Sequence, residues 1–143
     1  MREEGCALCE GAGGALVAQS ARWRIVRADE PGFPAFYRVI WNDHVREFSD
    51  LTSAQRAECM DAVVQVETLI REHLQPAKVN LASLGNAVAH LHWHVIARFE
   101  WDSHFPGAVW AEARREPDAG RLARVEALRG ILERDLGKLA FPA

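Results

Sequence analysis

The chain has 143 residues, 49% hydrophobic and 26% charged, which is enough apolar material for one domain with a buried core. A net charge of −3 gives bulk nucleic-acid binding, which needs a basic footprint, no electrostatic support, and no run reaches the roughly 18 apolar residues of a membrane-spanning helix. Three cysteines, an odd number, and an opening MREEGCALCEGAGG without an apolar signal core argue against an exported disulfide scaffold and predict a cytoplasmic chain with free or metal-bound thiols.

The first feature in chain order is CALC (6–9), a two-residue-spaced thiol pair that amounts to half of a tetrahedral metal site. ALVAQSARWRIVRA (15–28) reads as two short strands around a turn near Ser20. DEPGFP (29–34) is a loop by its proline and glycine content, and FYRVIW (36–41) is a third strand. At Thr52 a capping box opens the strongest helix of the chain, with Thr52 as N-cap and Gln55 three residues in. Cys59, Ala62, Val63, Val66, Leu69, Ile70 and Leu74 then recur at helical spacing to about His73, and Pro76 stops the run. Cys59 falls on that stripe as a packing residue, and His73 falls where a cation complements the helix dipole.

KVNLASLG (78–85) predicts a fourth strand, and Gly85-Asn86 a tight hairpin turn into HLHWHVIAR (90–98). The β-branched, aromatic and aliphatic residues of that last stretch favour a strand, in which alternate side chains share a face. His90, His92 and His94 then line one face, while Leu91, Trp93 and Val95 bury against helices. Three imidazoles in a row, each with an ordinary pKa near neutrality, suit nucleophilic, acid–base or metal chemistry. EWDSHFPGAVW (100–110) is an aromatic loop, and a last helix runs from about Asp118 to Leu136 with Leu122, Val125, Leu128, Leu132 and Leu136 on one stripe. The fold class is therefore α+β: an antiparallel sheet of about five strands, one long helix and a C-terminal helix, in a single domain spanning 1–143. Its core is about 14–110, with the cysteine knuckle at 6–9 and the helical extension at about 118–136.

Through VNLASLGNAVAHLHWHVIARF (79–99) the chain resembles the histidine triad (HIT) family of nucleotide hydrolases and transferases, in its bacterial diadenosine tetraphosphate hydrolase-like branch. HLHWHVI meets the family signature at every position, and FYRVIWNDHVREFSDLTSAQ (36–55) is similar to the family's strand, histidine-containing loop and long helix. The resemblance implies chemistry on the α-phosphate of a nucleoside phosphoramidate or dinucleoside polyphosphate. His92 would be the nucleophile that forms a nucleotidyl-histidine, with His94 and His90 as its catalytic neighbours and no catalytic metal required. Asn80 and Asn86 would add hydrogen bonds at the phosphate or the imidazoles, and Asp29 is the nearest counterpart of the family's ribose-binding acid. Phe36 stands where many members carry a fourth histidine, and Ala87 where they carry a hydroxyl.

The resemblance also completes the cysteine pair, because some members and related uridylyltransferases add two histidines to it. The matching set here is Cys6, Cys9, His44 and His90, as a structural zinc site. It further implies a homodimer built on the long helix and a neighbouring strand, although the C-terminal helix offers the same apolar surface a partner within one chain. Two other functions stay open: a nucleotide-binding sensor with little turnover, and a hydrolase that uses the three histidines as ligands of a catalytic metal. His104, Trp101 and Trp110 are further candidates for the wall of a nucleotide site, or for plain packing. Partners beyond a small nucleotide, whether nucleic acid or membrane, are not expected.

Overall fold

The computed structural model describes residues 1–139. A short helical turn, α1 (Ala7–Glu10), precedes strands β1 (Ala15–Gln19), β2 (Trp23–Arg27) and β3 (Phe36–Trp41), then helix α2 (Ser53–Leu74), strands β4 (Lys78–Ala82) and β5 (His92–Arg98), and helix α3 (Ala119–Lys138). The five strands form one antiparallel sheet in the order β1-β2-β3-β5-β4. The α+β architecture predicted above is the one observed.

Helix α2 begins as its capping box dictates. The Gln55 amide donates to Thr52 Oγ1 at 3.2 Å, and the Thr52 amide donates to Gln55 Oε1 at 2.9 Å. It ends at Gln75, which turns left-handed at φ 47° ahead of Pro76. Its stripe of Cys59, Ala62, Val63, Val66, Ile70 and Leu74 is buried against Trp23, Ile25, Tyr37, Val39 and Val95 on one sheet face. Burial holds the Cys59 thiol up at about 12, so it is packing material. Helix α3 joins the same core through Val125, Leu132 and Leu136. Leu128, expected on that stripe, is 38% exposed because it borders a hollow between α3, Leu74 and Trp101. Glu133 fastens α3 to the sheet by accepting from Arg27 Nη1 at 2.6 and 2.7 Å and from the Tyr37 hydroxyl at 2.9 Å. His73 does more than face its own helix end: its Nε2 lies 2.8 Å from Asp135 Oδ2, joining α2 to α3.

Two details differ from the sequence reading. The connection from β4 to β5 is not a two-residue turn at Gly85-Asn86 but the whole of 83–91, with Gly85 at φ 77°. Correspondingly, β5 starts at His92, and His90 and Leu91 lie outside it. The reason is competition for the backbone. The Leu91 amide donates to the Val45 carbonyl, the Leu91 carbonyl accepts from Trp41, and the His90 amide turns back to the Val88 carbonyl. Residues 90 and 91 are thus tied to the far end of β3 and the loop after it, rather than to β4.

The second face of the sheet carries the site. Cys6 and Leu8 of the N-terminal segment pack there on Val26 and Ile40, while Ala28 and Phe33 pack on Phe36 and Ile96. Between these two small clusters the register sets Ile40 opposite His92 and Arg38 opposite His94.

Candidate active site

His92 and His94 project from β5 into a cavity of about 560 Å³ whose other walls include Leu8, Gly13, Arg38, Asn86, Val88 and Trp110. The His92 ring is oriented by its own neighbour: Nδ1 lies 2.6 Å from the His90 carbonyl oxygen, which can only accept, so Nδ1 carries the hydrogen. The other nitrogen, Nε2, then holds a lone pair in the neutral ring. Burial lowers the His92 pKa against the opposing pull of that carbonyl, with Arg38 lowering it further. His94 is lowered to about 4, by burial first and then by His92 and Arg38. Its ring meets Phe36 edge-on at 5.4 Å, Trp110 at 5.2 Å and His92 at 5.0 Å, and its Nδ1 is buried without a hydrogen-bond partner among the described residues. The arrangement sets an imidazole with Nε2 left open beside a second imidazole, and burial favours the neutral form of both.

His90 serves elsewhere. Its Nε2 donates to the Trp41 carbonyl at 2.6 Å, and its Nδ1 lies 3.3 Å from Cys6 Sγ and 3.5 Å from Cys9 Sγ. His44 repeats the pattern, with Nδ1 at 3.5 Å from Cys9 Sγ and Nε2 at 2.9 Å from Glu3 Oε2. Both rings hand one nitrogen to an oxygen acceptor and turn the other toward the sulfurs, the orientation that metal-ligating histidines take. The four ligand atoms of Cys6, Cys9, His44 and His90 lie within 4.8 Å of one another. A tetrahedral zinc with two sulfurs and two nitrogens places them about 3.3 to 3.8 Å apart, the nitrogen pair closest and the sulfur pair farthest. The residues present can bind a metal, and the three sulfur–nitrogen distances given above lie close to the corresponding edge of such a tetrahedron. Arg24 braces the knuckle by donating to the Leu8, Gly11 and Ala12 carbonyls and to Asn42 Oδ1.

The three histidines therefore do not form a common ligand set. Among the described residues the converging group is Cys6, Cys9, His44 and His90, and neither His92 nor His94 belongs to it.

The remaining candidates are scattered. Asn86 is in the wall of the histidine cavity. Asn80 is engaged in a buried ion-pair cluster, where its Oδ1 accepts from Arg98 Nη1 at 2.8 Å. Asp29 lines a different cavity of about 630 Å³, together with Arg27, Phe33 and Arg129. His104 packs on Phe33 and pairs with Ser103 Oγ. Trp101 stacks on Phe99, bordering the hollow beside α3 rather than the histidines. Trp110, 54% exposed, stands at the mouth of the cavity against His94 and Phe36. Sequence reasoning passed over Arg38, although a cation at an alternate position of the apolar FYRVIW was a signal.

The HIT domain family profile matches residues 13–101. The chain belongs to the HIT domain family. Among solved structures it is similar to a histidine triad protein of Bradyrhizobium japonicum, at 23% identity over 87% of this chain and 92% of that one with a TM-score of 0.72. A histidine triad protein of Marinobacter aquaeolei matches at 24% identity over 88% and 93%, with a TM-score of 0.69. A Zn-bound histidine triad family protein of Mycobacterium smegmatis matches at 19% identity over 92% and 97%, with a TM-score of 0.61. A comparison with curated proteins gave no match.

Proposed function

We propose that this protein is a nucleotide hydrolase or nucleotidyltransferase that works at the α-phosphate of a nucleoside phosphoramidate or dinucleoside polyphosphate, as in the diadenosine tetraphosphate hydrolase-like branch of its family. The observation that carries the reading is the His92 Nδ1 hydrogen bond to the His90 carbonyl, which leaves Nε2 as the unprotonated nitrogen of a ring lining the cavity. Nε2 attacks phosphorus, the N–P bond forms, and the bond from phosphorus to the leaving oxygen or nitrogen breaks, the leaving group taking up a proton from solvent water. In the second step water adds its oxygen to phosphorus, the N–P bond breaks, and the water's proton is released. A covalent intermediate of this kind divides one hard displacement into two easier ones. His94 and Asn86 contribute fixed dipoles to the phosphoryl oxygens.

Cys6, Cys9, His44 and His90 hold a structural zinc in this reading, supported by their spacing and by the Zn-bound relative. When bound, the ion neutralises the two thiolates and ties the N-terminal segment to the chain ahead of β5. No helix among the described residues is long and apolar enough to cross a membrane; the cytoplasmic location is part of this proposal.

Turnover of diadenosine tetraphosphate and of adenosine 5′-phosphoramidate by wild type and His92→Ala tests the reading. Wild type should turn over at least one of them and show a nucleotidyl adduct by intact-mass spectrometry after an alkaline quench. The variant should lose turnover by at least about 10³-fold while nucleotide binding persists. Undiminished rates in the variant overturn the assignment. A second reading, a nucleotide sensor with little turnover, is favoured by the apolar packing of Phe36 and Trp110 around His94. The same assay decides it, because binding without an adduct is its signature.

A further inference from the structure

Apart from its two imidazoles, the wall of the histidine cavity carries one ionisable side chain among the described residues, Arg38. Its neighbours along the same face of β3 are Phe36 and Ile40, 1% and 0% exposed. Arg38 is therefore a cation set into an apolar row, directly across from His94. A half-buried charge without a counter-charge costs free energy, so its presence calls for a reason.

Bracing the chain is one such reason, and Arg24 shows what that looks like on this face. Arg24 spends its guanidinium on three carbonyls and an amide oxygen. The Arg38 side chain makes a single hydrogen bond among the described residues, from Nη1 to the Gly13 carbonyl at 2.8 Å, and it forms no ion pair with any described carboxylate. Its guanidinium carbon sits 5.9 Å from the centre of the Phe36 ring. One contact anchors the fork and one aromatic face flanks it, leaving further N–H donors for whatever enters the cavity. The anchor is firm. Gly13 lies so close to the sheet that a Cβ there would come within 2.7 Å of Leu8 Cδ2 and 2.8 Å of Ile40 Cδ1.

We propose that Arg38 is the phosphate-recognition residue of this pocket, taking up the negative charge of the phosphoryl group that His92 attacks and selecting 5′-phosphorylated nucleosides over neutral ones. The inference rests on the function proposed above and deepens it. A transferring phosphoryl group spreads its charge over its equatorial oxygens, and a planar guanidinium can donate to two of them at once. Among the described residues no other fixed cation lines the cavity to meet that charge.

Isothermal titration of wild type, Arg38→Met and Arg38→Lys with the four 5′-mononucleotides and their parent nucleosides tests it. Wild type should bind at least one mononucleotide roughly 10- to 100-fold more tightly than its nucleoside, the worth of one charge-assisted hydrogen bond. Arg38→Met should lose that preference while holding the nucleoside within about twofold of wild type, which also shows that the variant is folded; Arg38→Lys should recover part of it. The wild-type preference should shrink with added salt, a measurement that stands even if Arg38→Met fails to fold. A preference untouched by Arg38→Met, or by salt, overturns the assignment of Arg38. If wild type nevertheless turns over a dinucleoside polyphosphate, the proposed function survives that result. Wild type that binds neither nucleotides nor nucleosides refutes that function and the role of Arg38 with it.

Discussion

Replacing Asp102 with alanine should destabilise the protein more than any single change at its surface. Asp102 and Arg98 form an ion pair at 2.9 Å with both side chains 2% exposed. The carboxylate also accepts from Arg98 Nη2 at 3.1 Å and from the amides of Phe99, His104 and Phe105 at 3.0, 3.1 and 2.8 Å. Alanine leaves a buried guanidinium whose remaining hydrogen bonds among the described residues go to Asn80 Oδ1 and the Gly107 carbonyl, and strands three amides. Breaking a buried pair from one side costs about 3 to 5 kcal/mol, a large part of the roughly 5 to 15 kcal/mol that holds a domain folded. The pair closes the loop that leads to Trp110 at the cavity mouth, so the loss reaches the site as well as the core.

The pH dependence of stability has a definite sign here. Burial pushes the Asp102 carboxyl up, but the hydrogen bonds from Arg98 and from the Phe99 and His104 amides outweigh it, and its pKa lies below the ordinary aspartate value. The stabilisation is thus fully present above the unfolded-state pKa of about 3.9 and is lost as pH falls through the lower folded-state value. Urea unfolding followed by tryptophan fluorescence at pH 7 measures the cost, and a series below about pH 4 measures the slope. A loss under about 1 kcal/mol for Asp102→Ala, or an acid slope unchanged by it, would refute the reasoning.

Other outcomes follow from the same geometry. Protein purified without chelator should contain about one zinc per chain, and Cys9→Ser should lose the metal together with at least about 2 kcal/mol of stability; metal-free protein of full stability ends the idea. Thr52→Ala removes the acceptor that caps α2 and should cost about 1 kcal/mol in urea unfolding, with no effect on nucleotide binding. We expect a homodimer, since α3 packs on α2 yet leaves Val64 and, on edge strand β4, Leu81 exposed at 49% and 42%. Light scattering at micromolar concentration should give about twice the 16.0 kDa chain mass, and a mass near 16.0 kDa counts against the dimer.

What the sequence made legible was what depends on local pattern. The capping box at Thr52, the stripe of α2, the three early strands and the α+β class all follow from residues within a turn or a pleat of one another. What escaped it depends on contacts between distant segments. Asn80 reads as a polar residue near the site, but its partner Arg98 is cross-strand, and the pair's counter-charge Asp102 arrives from the following loop. Asp29 sits in a loop whose direction no periodicity encodes, and the loop lines a separate cavity. Arg38 was visible as a residue and not as a neighbour, because strand register is what places it opposite His94.

His90 shows the limit most sharply. Period-two spacing groups it with His92 and His94 as one row, yet the strand begins two residues later. The cause is that its side chain is committed to the Trp41 carbonyl and the cysteine pair, while Leu91 beside it is paired with the loop after β3. Its backbone carbonyl remains available, and that carbonyl fixes which nitrogen of His92 bears the hydrogen. A histidine at position 90 is thus needed for its ring in the knuckle, whereas the orientation of His92 requires only a carbonyl there, which any residue supplies. Substituting His90 should disturb metal binding first and His92 only through the backbone that the ring holds in place, an order that the sequence pattern alone would have reversed.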